Sequence, residues 1–197
     1  MDIRQTENLN QIKFDGISMQ LKALGQGFCC MLNLENNHLD QSSIDVTLNQ
    51  VRHECKHLYL KSIVLTGNKC YSIPQTMVNL TALERLFING NELRDLFDAS
   101  SDASILKCLD QVMPSNKSSF KKDVILTQLE SDTTIPVEIL EKVVFLIKLK
   151  SLDATFNVFL SENGKQILNR LNQLGAVTSY SKIGTELNEA LQWNITR

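Results

Sequence analysis

The sequence predicts an α/β fold of stacked units, with parallel strands on one side and helices on the other. Three observations carry that prediction. A short pattern of alternating aliphatic residues followed by asparagine occurs three times, a proline-to-leucine link occurs twice, and the spacers hold apolar residues at helical intervals.

The pattern is clearest in Leu32-Asn33-Leu34-Glu35-Asn36-Asn37-His38-Leu39, Ile63-Val64-Leu65-Thr66-Gly67-Asn68-Lys69-Cys70 and Leu86-Phe87-Ile88-Asn89-Gly90-Asn91-Glu92-Leu93. The link before the third copy runs from Ile73-Pro74 to Leu80, Leu83 and Leu86. Ile135-Pro136 opens a second link, in which Leu146, Leu149 and Leu152 keep the leucine spacing. Ala154, Asn157 and Phe159 then fall where Ile88, Asn91 and Leu93 fall. The second link has four more residues between the proline and the leucines. Two weaker units follow the same rule. Val124-Ile125-Leu126-Thr127-Gln128-Leu129 alternates but has Leu129 in the asparagine slot, and Leu168, Leu171, Leu174 and Ala176 continue the spacing with Ser179 in that slot. Strand starts are therefore expected at 32, 63, 86, 124, 152 and 174.

These units resemble the leucine-rich-repeat family, whose unit reads L-x-x-L-x-L-x-x-N/C-x-L and spans about 20–29 residues. The resemblance covers residues 20 to 180, and the spacings of 31, 23, 38, 28 and 22 depart from the family most around residue 124. It implies a short curved solenoid, a right-handed β-α superhelix with a parallel sheet on the concave face and helices on the convex face. The domain plan that follows is an N-terminal capping region over 1–30, about five or six irregular repeats over 31–180, and a C-terminal capping helix over 181–197.

Each strand sends alternate side chains to opposite faces. Leu32/Leu34, Ile63/Leu65, Leu86/Ile88, Val124/Leu126 and Leu152/Ala154 should point into one core that no unit could bury alone. Asn37, Asn68, Asn91 and Asn157 sit where the chain turns from the strand, and an amide there can satisfy backbone groups the sheet no longer pairs. They are expected to be buried and structural. A helix over Ser18 to Leu24 should cover the first strand, and Val46, Leu48, Val51, Cys55 and Leu58 mark the next. Asp98 to Ala103 and Pro114 to Ser119, rich in small polar residues, read as loops around a helix carrying Ile105, Leu106, Leu109 and Val112. Ile139, Leu140, Val143, Val144 and Ile147 form a further helical face, as do Ile167, Leu168, Leu171 and Leu174. Leu187, Leu191 and Trp193 would face the array from a last helix starting at Ser181 or Thr185.

Composition narrows the function. Across 197 residues the net charge is −2, so no basic stripe for nucleic acid is expected. No run of about 18 apolar residues occurs, so no membrane span is expected. The polar start Met1-Asp2-Ile3-Arg4-Gln5 lacks the apolar core of a secretory signal, which points to the cytoplasm or to secretion into a host cell without a Sec-type signal. Cys29, Cys30, Cys55, Cys70 and Cys108 are odd in number and contain no Cys-x-x-Cys pair, so reduced, mostly buried thiols are expected.

One catalytic pattern needs weighing. His53-Glu54-Cys55-Lys56-His57 matches His-Glu-x-x-His, in which two histidines one helical turn apart bind zinc and the glutamate acts as general base. On the expected helix His53 lies about 200° from Val51 and Cys55. The pair should then face solvent, and a third ligand is unaccounted for, since the remaining histidine is His38. A solvated histidine pair is the simpler reading; a zinc-dependent hydrolase using 53–57 is the alternative. The expectation is no enzyme, no metal and no cofactor.

By elimination the functional surface is the concave sheet face. Its outward residues are Met31, Asn33 and Glu35; Ser62, Val64 and Thr66; Arg85, Phe87 and Asn89; and Ser151, Asp153 and Thr155, with Ile125 and Thr127 added if the unit at 124 is a repeat. Val64, Phe87 and Ile125 would form an apolar stripe with a polar rim, the composition of a protein-binding hot spot. The plainer possibility is that neighbouring side chains cover Phe87. The resemblance implies a monomeric, non-catalytic scaffold that grips one protein partner. The Asn-, Lys- and Ile-rich composition and short irregular array are similar in style to leucine-rich-repeat effectors that intracellular bacteria deliver into host cells.

Overall fold

The computed structural model describes residues 12–14, 17–24, 29–54, 59–113, 121–175 and 177–179. In chain order the elements are β1 (Ile12–Phe14), β2 (Ile17–Leu24), β3 (Cys29–Asn33), α1 (Gln41–Glu54), β4 (Tyr59–Val64), α2 (Gln75–Val78), β5 (Arg85–Phe87), α3 (Ala99–Val112), α4 (Lys122–Ser131), α5 (Val137–Lys148), β6 (Ser151–Asp153), α6 (Glu162–Gln173) and β7 (Val177–Ser179). The fold is α/β. The strands form one sheet in the order β1 to β7, antiparallel from β1 to β3 and parallel from β3 to β7.

The strands expected at 32, 63, 86 and 152 lie side by side, with Leu32 beside Ile63, Ile63 beside Leu86, and Leu86 beside Leu152. Leu32, Leu34, Ile63, Leu65, Leu86, Ile88, Leu152 and Ala154 are all buried, in one core with Ile105, Leu109, Val143, Ile147, Ile167 and Leu171 from the helices. Fully burying an aliphatic side chain of this size contributes about 1.5–3 kcal/mol, so this shared layer dominates the stability.

The turn asparagines tie each unit to the one before it. Asn68 accepts from the Leu39 N–H at 2.9 Å and donates to the Leu34 and Leu65 carbonyls at 2.8 and 2.9 Å. Asn91 accepts from Cys70 N–H at 3.0 Å and donates to the carbonyls of Leu65 and Ile88 at 2.9 and 3.1 Å. Asn157 does the same with Leu93 N–H and the carbonyls of Ile88 and Ala154. Asn68 and Asn91 are buried, whereas Asn157 is partly exposed. Asn37, also partly exposed, donates to the Glu35 carbonyl at 3.1 Å.

The two links also correspond in space. Pro74 precedes α2 and Pro136 precedes α5 with nearly the same backbone, φ −56° in both and ψ 133° and 137°. The second link, four residues longer, carries a 12-residue helix where the first carries one of 4, the helix extending through Leu146, and Leu152 still reaches the sheet.

Several expectations are corrected. Residues 18–24 form a strand, not a helix: residues 20–24 of β2 pair antiparallel with β3 and residues 17–19 with β1, the residues between β1 and β2 being Asp15 and Gly16. Residues 124–129 are helical, inside α4. Ile125 and Leu129, four apart, are its buried face, while Val124 is exposed. Val-Ile-Leu-Thr fits a strand by composition, but the period that wins is the one that buries a face against α5 and α3. The polar stretch 98–103 is not a loop: Asp98 caps α3 by accepting from the N–H groups of Ser100 and Ser101. In α1 the buried face is Ile44, Thr47 and Leu48, and Val46 is exposed. The last strand starts at Val177 rather than 174, since α6 runs to Gln173 and Gly175 takes φ +68° before the chain turns. Cys70 and Cys108 are buried free thiols, and burial pushes Cys70 up to about 12. The expected terminal helix over 181–197, the loop at 114–119, Cys55 and His57 lie outside the described residues.

Candidate functional site

Pairing of the parallel strands arranges the outward side chains in rows. Met31, Ser62, Arg85 and Ser151 form the first row, and Asn33, Val64, Phe87 and Asp153 the second. Backbone bonds Asn36 N–H to Thr66 O, Gly67 N–H to Asn89 O and Gly90 N–H to Thr155 O carry the same alignment into a third row of Glu35, Thr66, Asn89 and Thr155. Glu35 and Arg85 are exposed, and Asn33, Val64, Thr66, Phe87, Asn89, Asp153 and Thr155 are partly exposed. Phe87 is thus mostly covered by neighbours while part of the residue stays accessible.

The structure brings these residues together but leaves out Ile125 and Thr127. Both belong to α4, where Ile125 is buried and Thr127 is exposed with its hydroxyl donating to the Asp123 carbonyl at 2.9 Å. With α3, α4 and α5 all between β5 and β6, Phe87 lies directly beside Asp153. The expected apolar stripe of Val64, Phe87 and Ile125 is therefore replaced by Val64, Phe87 and Asp153, apolar at one end and acidic at the other.

The polar groups are partly satisfied among themselves. Asp153 Oδ1 accepts from the Thr155 N–H at 3.0 Å and its hydroxyl at 2.8 Å. Thr66 donates to Asn89 Oδ1 at 2.7 Å, and Asn33 Oδ1 accepts from the Glu35 N–H at 2.9 Å. Such bonds restrict the side-chain conformations of this face. Ser62 is buried at 5%, and its hydroxyl has no hydrogen-bond partner among the described residues.

Sequence reasoning missed the turn beyond β6. Phe156, Val158 and Phe159 are exposed at 60%, 51% and 70%. Phe159 was aligned with the buried Leu93, but Leu160 takes the core slot, one residue later. The signal was present: Phe156 precedes the turn asparagine where Gly67 and Gly90 stand in two other units.

Away from this face, an open groove of about 440 Å³ is lined in part by Asp45, Tyr71, Phe97, Asp98, Glu138 and Lys142. Lys142 is buried at 3% and lies 2.8 Å from Glu138, 3.6 Å from Asp98 and 5.4 Å from the Phe97 ring centre. These charges largely answer one another, a structural tie between α3 and α5. Asp102 is fully buried, accepting from the Leu96 and Phe97 N–H groups at 2.7 and 3.1 Å, and burial pushes its carboxyl up to about 6. His53 and Glu54 fall at the end of α1. Among the described residues no group of three or more His, Cys, Asp or Glu could hold a metal ion, and no helix is long and apolar enough to cross a membrane.

Comparison with protein-family models, with curated proteins and with solved structures finds no match to this chain.

Proposed function

We propose that the chain is a short leucine-rich-repeat solenoid and a non-catalytic scaffold, which binds one protein partner through the outward face of its parallel sheet. The observation that carries this reading is the contrast between the two faces. The inner side chains from Leu32 to Ala154 are shut into a common core, while three aligned rows on the other side keep Arg85, Phe87, Asn89, Asp153 and Thr155 in contact with solvent. The repeated amide bonds of Asn68, Asn91 and Asn157 support the repeat reading, since each joins its own turn to the preceding one in the same way. An aromatic ring within a preorganised polar surface is the composition that concentrates binding energy at protein interfaces.

The reading is tested by Phe87→Glu in a cross-linking pull-down with the purified chain. A charge at the centre of the face should abolish partner capture while circular dichroism and melting stay as in wild type. Capture that survives the substitution places binding elsewhere.

A further inference from the structure

The turn leaving β6 breaks a rule that other units keep. The residue before each turn asparagine sits in the left-handed region: Asn36 at φ 55°, Gly67 at 69°, Gly90 at 63° and Phe156 at 58°. Glycine and asparagine adopt that backbone readily, an aromatic residue does not. Burial does not compensate Phe156, which is mostly exposed. The exposed slots of Lys69 and Glu92 are taken here by Val158, and Phe159 stands out of the core. Strain of this kind clusters at functional sites, and exposed apolar side chains gathered in one turn mark contact surfaces. The turn follows Thr155 directly, so it borders the third row of the sheet face. Asp153 is the charged member of the second row, beside Phe87, and Arg85 stands in the first row two residues before Phe87. Among the described residues no ion pair engages Asp153, and its strand neighbour is Phe87, about 4.8 Å away between backbones.

We propose that this end of the sheet docks a partner segment that presents one basic side chain flanked by large apolar ones. The cation lies over the Phe87 ring and against the Asp153 carboxylate, and the apolar neighbours cover Phe156, Val158 and Phe159. A ring face and a carboxylate on adjacent strands both attract a cation, and the Asp153 carboxylate disfavours an acidic group at the same place. The proposal rests on the sheet face being the binding surface.

The experiment selects a phage-displayed random dodecapeptide library on the full chain, then measures the selected synthetic peptides by fluorescence anisotropy and the variants by melting. Selected peptides should carry Arg or Lys beside Leu, Ile, Met or Phe. Asp153→Asn should weaken them about tenfold or more. Phe156→Gly should weaken them comparably while leaving the melting temperature unchanged or higher, an outcome opposite to that of a structural phenylalanine. Enrichment of acidic or purely apolar peptides, or no enrichment, overturns the proposal. Loss of binding in Phe87→Glu with Asp153→Asn and Phe156→Gly both tolerated overturns it while keeping the face; binding unaffected by Phe87→Glu removes the face itself.

Discussion

At the residue scale, the turn asparagines and one buried acid make the sharpest predictions. Truncating Asn91 leaves the Cys70 N–H and the carbonyls of Leu65 and Ile88 without their partner in a buried turn. Asn91→Ala should cost about 2–3 kcal/mol, lowering the melting temperature by about 5–10 °C in a chain of this size. Asn157→Ala removes the equivalent bonds where water can replace them, so its loss should be smaller; equal losses would mean that burial is not what gives these amides their weight. Asp102 has a folded pKa of about 6, above the unfolded value of about 3.9. Between those values the folded state binds the proton more tightly, so this group's contribution falls as pH rises through the window. Asp98 acts in the opposite sense: the Ser101 hydroxyl and N–H hold its carboxyl well below the usual range, and its contribution is lost on acidification. Urea midpoints taken from about pH 4 to 7 should therefore show a falling component in wild type that Asp102→Asn removes. Parallel profiles for the two proteins would refute the role given to burial.

At the element scale, the joint between α3 and α5 turns on Lys142. Its stem lies in the core while its ammonium reaches Glu138, Asp98 and the Ser101 hydroxyl. Both carboxylates are well exposed, so water replaces the ammonium when the charge is removed. Lys142→Met, which keeps the stem, should change unfolding free energy by less than about 1 kcal/mol. Lys142→Ala, which empties the stem's volume, should cost about 2–3 kcal/mol. Chemical denaturation of both variants checks this; a Met variant as unstable as the Ala variant would show that the ion pairs, not the packing, hold the joint.

At the scale of the whole molecule, one apolar layer runs through every unit from Leu32 to Leu174. Each unit touches mainly its neighbours, and β5 is the middle of the five parallel strands. Leu86→Ala, a fully buried change in that strand, should cost about 2–5 kcal/mol and weaken the contacts on both sides. Far-ultraviolet and near-ultraviolet circular dichroism should still melt together. Two separated transitions would mean that the units on either side of β5 fold independently.

The sequence by itself determined that strands run through 32, 63, 86 and 152, though β3 and β4 begin earlier, at Cys29 and Tyr59, and it determined which of their side chains enter the core and that asparagine closes these turns. Those features are local: a period of two and one amide within three residues of a carbonyl are readable along the chain. It also contained, unread, the Asp15-Gly16 dipeptide between β1 and β2 and the phenylalanine in a glycine slot. Tertiary structure decided the rest. Residues 18–24 and 124–129 are apolar enough for either period; pairing with β1 and β3 goes with the strand in the first, and packing against α5 and α3 with the helix in the second. Because 124–129 joined the helices, Asp153 rather than Ile125 came to stand beside Phe87. That neighbour changed the character of the face, and no spacing along the chain encodes it, since lateral order in a sheet depends on which intervening segments leave it.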